Sequence, residues 1–251
     1  MKKSVFFASA LVAGFAFAGT TEVTDEYVVG ALPVAMAANQ HDIVLNIPWI
    51  ESGTSSGGVA VTNLVKTANL AAGDLLLWYN NGSYEGWSAK SSGEVLYWEP
   101  TTIAKSAGIA AATAATTPSL SRGQALVLHR AGTAATNIYV VGQYAGNSSA
   151  SSTIASGTPA APVYSLVAPP NVSGAVNLKE KLTGAVNGDS VTFMKNGSMV
   201  SYYYDGTQWG YDSMNEQGRP AFNAATDEAM TLPVGTGFYY KRVGESFSVN
   251  W

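Results

Sequence analysis

The sequence predicts an all-β protein made of two homologous tandem units, each a β-sandwich or a small β-barrel. Three observations lead there: an internal duplication with a period of 112, hairpin turns of the Asn-Gly and Asp-Gly kind flanked by aromatics, and short apolar runs that follow glycines. Units of about 100 residues with such strands fit sandwiches or small barrels.

The duplication rests on three ordered blocks. Tyr27-Val28-Val29-Gly30 recurs as Tyr139-Val140-Val141-Gly142, an offset of 139 − 27 = 112. Leu120 to Gly132 faces Leu232 to Gly244, again at 232 − 120 = 112, with Leu, Gly, Arg and Gly identical. Between them Gly73-Asp74 and Asn81-Gly82 answer Gly188-Asp189 and Asn196-Gly197 at an offset of 115, which small loop insertions explain. The expected units are residues 19–138 and 139–251, with the Ser, Ala, Thr, Gly and Pro stretch from Gly146 to Pro162 a loop inside the second.

Each unit carries its own strand signals. Phe193 to Tyr211 reads as a three-stranded meander, because Asn196-Gly197 and Asp205-Gly206 tolerate the positive φ of tight hairpin turns. Leu75 to Trp87 is the shorter counterpart around Asn81-Gly82. Leu126-Val127-Leu128 and Phe238-Tyr239-Tyr240 are continuous apolar runs, as buried strands require. The one helical candidate is the Ala-rich stretch Thr102 to Ala115, read as a short helix or a loop.

The first eighteen residues read as an address. Lys2 and Lys3 precede an apolar run of about fourteen residues, and Ala16-Phe17-Ala18 is a small-x-small cleavage pattern, so a secretory signal peptide over 1–18 is expected. The run is too short to span ~30 Å of hydrocarbon. Cleavage removes two lysines, taking the charge from 13 − 17 = −4 to 11 − 17 = −6. No later segment is long enough for a transmembrane helix.

Composition narrows the function classes. Charged residues are only 12% and hydrophobic ones 47%, so the chain can bury a core and global disorder is excluded. An isoelectric point near 5.1 excludes nucleic-acid partners, which need a basic face. With 0 Cys there are no disulfides, thiolate metal sites or cysteine nucleophiles. An exported chain of this kind is bacterial in style and relies on packing alone.

No convergent catalytic set stands out. Gly53-Thr54-Ser55-Ser56-Gly57 matches G-x-S-x-G, but it sits in a Gly/Ser loop before a strand-like Gly58 to Val61 and not at a strand-to-helix elbow. Glu94 and Glu99 flank an aromatic run, yet their spacing places them on opposite faces of a straight strand. The two histidines, His41 and His129, look isolated and specify no metal site. Asp74 and Asp189 read as turn residues whose carboxylates bond nearby backbone N–H groups; calcium there is the lesser reading, since one carboxylate per unit is too few oxygens. No cofactor and no metal ligand set is expected.

Aromatics remain. Trp87, Tyr84, Tyr203, Trp209 and Tyr211 sit on the expected hairpins and are the candidate ligand-binding residues, because exposed rings stack on sugars or anchor partners. The competing account is cross-strand pairing that stabilises a sheet, worth about 0.2–1 kcal/mol per pair.

Tyr27-Val28-Val29-Gly30 soon after the leader, Ile47-Pro48-Trp49, and Leu232-Pro233-Val234-Gly235-Thr236-Gly237-Phe238 together resemble a group of uncharacterised bacterial secreted proteins. Those proteins carry a V-V-G stretch after the signal peptide and P-G-x-G-F-type strands near the end. The resemblance implies export and a β architecture and assigns no activity.

The expected function is that of a secreted or cell-surface protein without enzymatic activity, structural or adhesive, with polysaccharide or other surface proteins as partners. A carbohydrate-binding module using the hairpin aromatics is the first alternative. An outer-membrane β-barrel finishing on Val249-Asn250-Trp251 is the second.

Overall fold

The computed structural model describes residues 29–46, 49–50, 59–60, 65, 70–80, 83–92, 95–100, 109–111, 119–120, 123–144, 151–170, 174–214, 217 and 219–251. The expected signal peptide, Ser55 and Glu94 lie outside them. The structure is nearly all β, 56% strand and 3% helix, as expected.

In the first half, strands β1 (Val29–Met36), β2 (Asp42–Asn46), β3 (Trp49–Ile50), β4 (Val59–Ala60), β5 (Leu75–Asn80) and β6 (Ser83–Ser92) follow one another. Then come β7 (Val95–Pro100), β8 (Ile109–Ala111), β9 (Ser119–Leu120), β10 (Ala125–His129) and β11 (Thr136–Tyr144). The large sheet runs β2-β10-β5-β6-β7, with β8 added parallel to β6; β1-β11-β3 makes a small sheet over it.

The second half holds β12 (Ser151–Ile154), β13 (Val163–Val167), β14 (Val176–Asn177), a single helical turn α1 (Leu178–Lys181), β15 (Ser190–Lys195) and β16 (Ser198–Tyr204). It continues with β17 (Trp209–Met214), β18 (Pro220–Ala224), β19 (Thr231–Leu232), β20 (Phe238–Arg242) and β21 (Phe247–Asn250). Its large sheet runs β13-β20-β15-β16-β17-β18, and β12-β21 forms the small one. The orders β2-β10-β5-β6-β7 and β13-β20-β15-β16-β17 match strand for strand.

Local chemistry explains the strands. Asn196 (φ 51) and Gly197 (φ 78) close the β15–β16 hairpin in the left-handed region that this turn needs. At the β16–β17 turn the Asp205 carboxylate accepts from the N–H groups of Thr207 and Gln208, both at 2.8 Å. The expected meander is therefore β15-β16-β17. The Ala-rich stretch behaves otherwise: its described part, Ile109 to Ala111, is the strand β8, because an open edge of β6 accepts it. The helical turn α1 is instead capped by Asn177, whose side chain accepts from Lys179 N–H at 3.1 Å.

Two of the three repeat blocks occupy matching places, and one does not. Leu126-Val127-Leu128 and Phe238-Tyr239-Tyr240 are β10 and β20, each beside the opening strand of its large sheet. Gly73 and Gly188 both have positive φ and stand just before β5 and β15. Val29-Gly30, by contrast, opens β1, whereas Tyr139 to Gly142 lies in β11 and pairs with β1 itself, Gly30 facing Gly142. The strand in the position of β1 is β12, which pairs with β21. The expected boundary between 138 and 139 thus falls inside β11, whose pairings are to β1 and β3 of the first half.

Burial distinguishes strands with one covered face from strands with two. In β1, buried Leu32, Val34 and Met36 alternate with exposed Ala31, Pro33 and Ala35. They pack on Ile43, Leu45, Leu76, Trp87, Leu126, Leu128, Ile138 and Val140 as one core. A second core gathers Phe193, Tyr202, Trp209, Phe238, Tyr240 and Val249 with Leu178 and Met230. In β10 no such alternation exists, because Ala125 to Leu128 are all buried. Its other face packs against the second large sheet: Val44, Val127 and Leu77 meet Leu166, Ala168 and Tyr239. Full burial of one such aliphatic side chain is worth about 1.5–3 kcal/mol.

Backbone bonds tie this seam. Asn46 N–H donates to Gly235 O (2.9 Å) and Gly237 N–H to Val44 O (2.8 Å), while Ala168 N–H donates to Gly123 O (3.5 Å). Gly123 and Gly235 are the turn glycines before β10 and β20, so each half grips the turn of the other. The described strands form several separate sheets. Among the described residues no helix is long and apolar enough to cross a membrane.

Candidate functional site

The expected ligand-binding aromatics are scattered by the pleat. Trp87, in β6, is 1% exposed and belongs to the first core; Trp209, in β17, is 3% exposed and belongs to the second. Neither can offer a ring face to a ligand, which corrects the expectation for both tryptophans. Hairpin position was visible in the sequence, but which pleat face looked inward depended on register. Tyr211 is 44% exposed at the margin of the second core, its ring 6.2 Å from that of Tyr202.

Tyr203 lies on the opposite face. It is half-buried, its ring 5.2 Å from Phe222 in an edge contact. The register explains why they meet: Tyr203 faces Gly210, Gly210 faces Ala224, and the Phe222 ring covers the bare glycine, where a Cβ would come within 2.3 Å of it. The Tyr203 hydroxyl donates to the Asp212 carboxylate, which pushes the phenol up to about 12. Ser201 and Thr192 share a hydroxyl bond of 2.8 Å on this same face.

Tyr84 stands at the seam. Its hydroxyl donates to that of Tyr239 at 3.5 Å, and burial raises both phenols above their ordinary value. With Tyr79, Tyr164, Ser165 and Leu166 they line a cavity of about 20 Å³, too small for anything but water. A second cleft at the seam measures about 240 Å³ and is lined by Asp42, Ile43, Val44, Val127, Met199 and Tyr239. The two are related by the matching strand orders. Asp42 faces His129 across β2–β10 as Tyr164 faces Lys241 across β13–β20, and Tyr79 faces Tyr84 as Met194 faces Met199. Tyrosines fill one cleft; an acid and smaller apolar side chains leave the other open. At about 240 Å³ it falls just under the ~300–1,000 Å³ of typical small-molecule pockets.

The histidines, isolated in the sequence, meet beside Asp42, one of the residues that line that larger cleft. Their ring centroids are 6.1 Å apart with 28° between planes. His129 Nδ1 lies 2.8 Å from Asp42 Oδ1, and His41 Nδ1 lies 2.7 Å from the Arg130 carbonyl oxygen. Both partners only accept, so both rings carry their proton on Nδ1. Antiparallel pairing of β2 with β10 brings together residues 87 and 89 positions apart, which no local spacing could reveal.

Asp74 and Asp189 are the turn residues expected, and both are fully buried. Asp74 accepts from Ala71 and Ala131 N–H at 2.9 and 2.8 Å; Asp189 accepts from Val186 and Val243 N–H at 3.0 and 2.8 Å. Each clamps the start of a central strand to the end of β10 or β20. Among the described residues no group of three or more His, Cys, Asp or Glu is placed to hold a metal ion.

No family model matches the sequence, and neither a curated protein nor a solved structure matches it.

Proposed function

We propose that the chain is an exported, non-enzymatic β protein with a structural or adhesive role at the cell surface or outside the cell, descended from one duplicated unit. The observation that carries this reading is the seam. Both faces of β10 are buried, and each half bonds the other's turn through backbone groups, Asn46 to Gly235 and Ala168 to Gly123. A chain with 0 Cys gains from this a second apolar interface in place of crosslinks. Such construction suits a durable body that displays surface, and the matched strand orders support descent from a copied unit. The test is fractionation of the native host with an antibody to the chain, paired with assay of the purified protein on glycan, ester and peptide substrates. Recovery at the surface or in the medium with no turnover is expected; saturable turnover of any substrate class overturns the reading.

The Tyr203 face favours a second reading, a carbohydrate-binding module. An aromatic ledge of Tyr203 and Phe222 beside the Asp212 carboxylate and the Ser201 and Thr192 hydroxyls has the mixture of ring and hydrogen-bonding groups that holds a sugar. A glycan array decides: retained oligosaccharides lost on Tyr203→Ala support it, and an array without hits ends it.

A further inference from the structure

We propose that the open seam cleft binds a small aromatic cation, an aryl ring carried on a short alkylammonium chain, with the ring in the cleft and the ammonium on the Asp42 carboxylate. The site goes beyond the structural or adhesive role and does not depend on it.

The two seam clefts are quasi-equivalent, one filled and one open. Asn46 N–H to Gly235 O is answered by Ala168 N–H to Gly123 O, and 235 − 123 = 112, so each half presents the same edge to the other, as in an isologous contact. Asp42, which faces His129, holds the place of Tyr164, which faces Lys241. Met199, which faces Met194, holds the place of Tyr84, which faces Tyr79. Val44 faces Val127 as Leu166 faces Tyr239.

That correspondence says what the open cleft lacks. Tyr79, Tyr84 and Tyr164 bring phenol rings to the filled cleft and leave about 20 Å³. Their counterparts Met194, Met199 and Asp42 bring no ring, and about 240 Å³ is left. An apolar cavity of about 150 Å³ is enough to bind benzene, so the open cleft has room for one ring and a short substituent. Its walls suit a ring: Ile43, Val44 and Val127 are buried aliphatics, and Met199 is a flexible thioether of the kind that packs on aromatic edges.

Charge selects the substituent. Asp42 is the carboxylate among the residues that line the cleft. Its Oδ1 is held by His129 Nδ1 at 2.8 Å, and among the described residues its Oδ2 has no hydrogen bond. The side chain is 57% exposed, so a second donor can reach it. The Asp42 charge is felt inside the cleft: after burial and the Tyr84 contacts, it helps to raise the Tyr239 phenol. An apolar cleft with a single carboxylate at its mouth takes a ring and orients it by a charge-assisted bond to an ammonium group.

The test uses the full chain with ¹³C-labelled methyl groups at pH 8 and phenethylamine as the probe. Benzyl alcohol supplies the ring without the charge, and butylamine the charge without the ring. Phenethylamine should move the Val44, Val127 and Met199 methyl signals together and saturate at one molecule per chain, with butylamine weaker by about tenfold or more. Met199→Tyr places at this cleft the ring that Tyr84 supplies to the other and should abolish the shifts. Asp42→Asn should weaken phenethylamine about tenfold and leave benzyl alcohol unchanged. Methyl signals that ignore millimolar phenethylamine, or saturable shifts confined to residues away from the cleft, overturn the site, as does undiminished binding by Met199→Tyr. Butylamine that binds as well as phenethylamine, or an Asp42→Asn variant without effect, overturns the chemical class. The wild-type titrations decide even where a variant fails to fold.

Discussion

Asp189 and Arg242 form a buried ion pair at 2.5 Å, with the carboxylate side chain 0% and the guanidinium side chain 4% exposed. Their counterparts, Asp74 and Arg130, are equally buried but bond backbone groups, Arg130 donating to the Ala134 carbonyl at 2.9 Å. The Asp189 carboxylate also accepts from the Tyr240 hydroxyl at 2.7 Å. Leu128 occupies the position of Tyr240 in β10, so the first half lacks that third partner.

The two aspartates should consequently differ in mutational cost. Asp189→Asn leaves Arg242 buried without its counter-charge and is expected to destabilise by about 3–5 kcal/mol. Asp74→Asn loses charge-assisted bonds to backbone N–H groups, at about 1–3 kcal/mol. Urea unfolding followed by tryptophan fluorescence measures both, and equal midpoints would show that the ion pair carries no extra weight.

Alkaline pH should unfold the protein through its buried tyrosines. Burial, and then a hydrogen bond to Tyr84 or Asp189, raises the phenols of Tyr239 and Tyr240 above their ordinary value of 10.0. In the unfolded chain they ionise near that value while the folded chain keeps them protonated. Their contribution is therefore intact below pH 10 and declines above it, by about 1.4 kcal/mol per pH unit for each. Tyr203, raised to about 12 by its hydrogen bond to Asp212, should also titrate late. Absorbance at 295 nm against pH should reveal late-titrating phenols that normalise in denaturant, and Tyr240→Phe should flatten the alkaline loss of stability.

Gly237 is expected to be the least replaceable glycine at the seam. A Cβ there would sit 2.6 Å from the Val167 carbonyl oxygen and 2.6 Å from Val44 Cγ1. Gly237→Ala must push the two sheets apart, costing about 1–3 kcal/mol or more. Gly174→Ala is the control: its φ of +75 is unfavourable for alanine, but nothing lies within 4 Å, so only about 1–2 kcal/mol of backbone strain is expected. Thermal melts of the two variants compare them directly.

Val127→Asp should separate the halves without dismantling either core. Val127 is buried against the second sheet, whereas its neighbours Leu126 and Leu128 point into the first core. A carboxylate placed there meets no cation among the seam residues Val44, Ala125, Ala168, Leu166 and Tyr239. Loss of the single cooperative unfolding transition, with two transitions in its place, is the expected calorimetric result.

Local signals were legible because they act over a few residues. Asn196-Gly197 announces its turn since few residue pairs tolerate two positive φ values, and Gly188-Asp189 announces a clamp since a short carboxylate reaches only nearby N–H groups. The run Leu126-Val127-Leu128 announced burial on both sides. It did not announce what would cover the second face.

The rest required strands to find partners. Trp87 and Trp209 read as potential ligand platforms until register turned their side of the pleat inward. The Tyr139 to Gly142 echo looked like the opening of a second unit until β11 paired with β1.

Sequence alone determined the β character, the hairpin turns and the buried triplets, because period, turn chemistry and propensity are properties of neighbouring residues. Tertiary structure decided the sheet-on-sheet seam, the ion pair of Asp189 with Arg242 and the meeting of His41 with His129. Those contacts join residues tens of positions apart, and their geometry follows from strand register and sheet packing, which no short stretch of chain encodes.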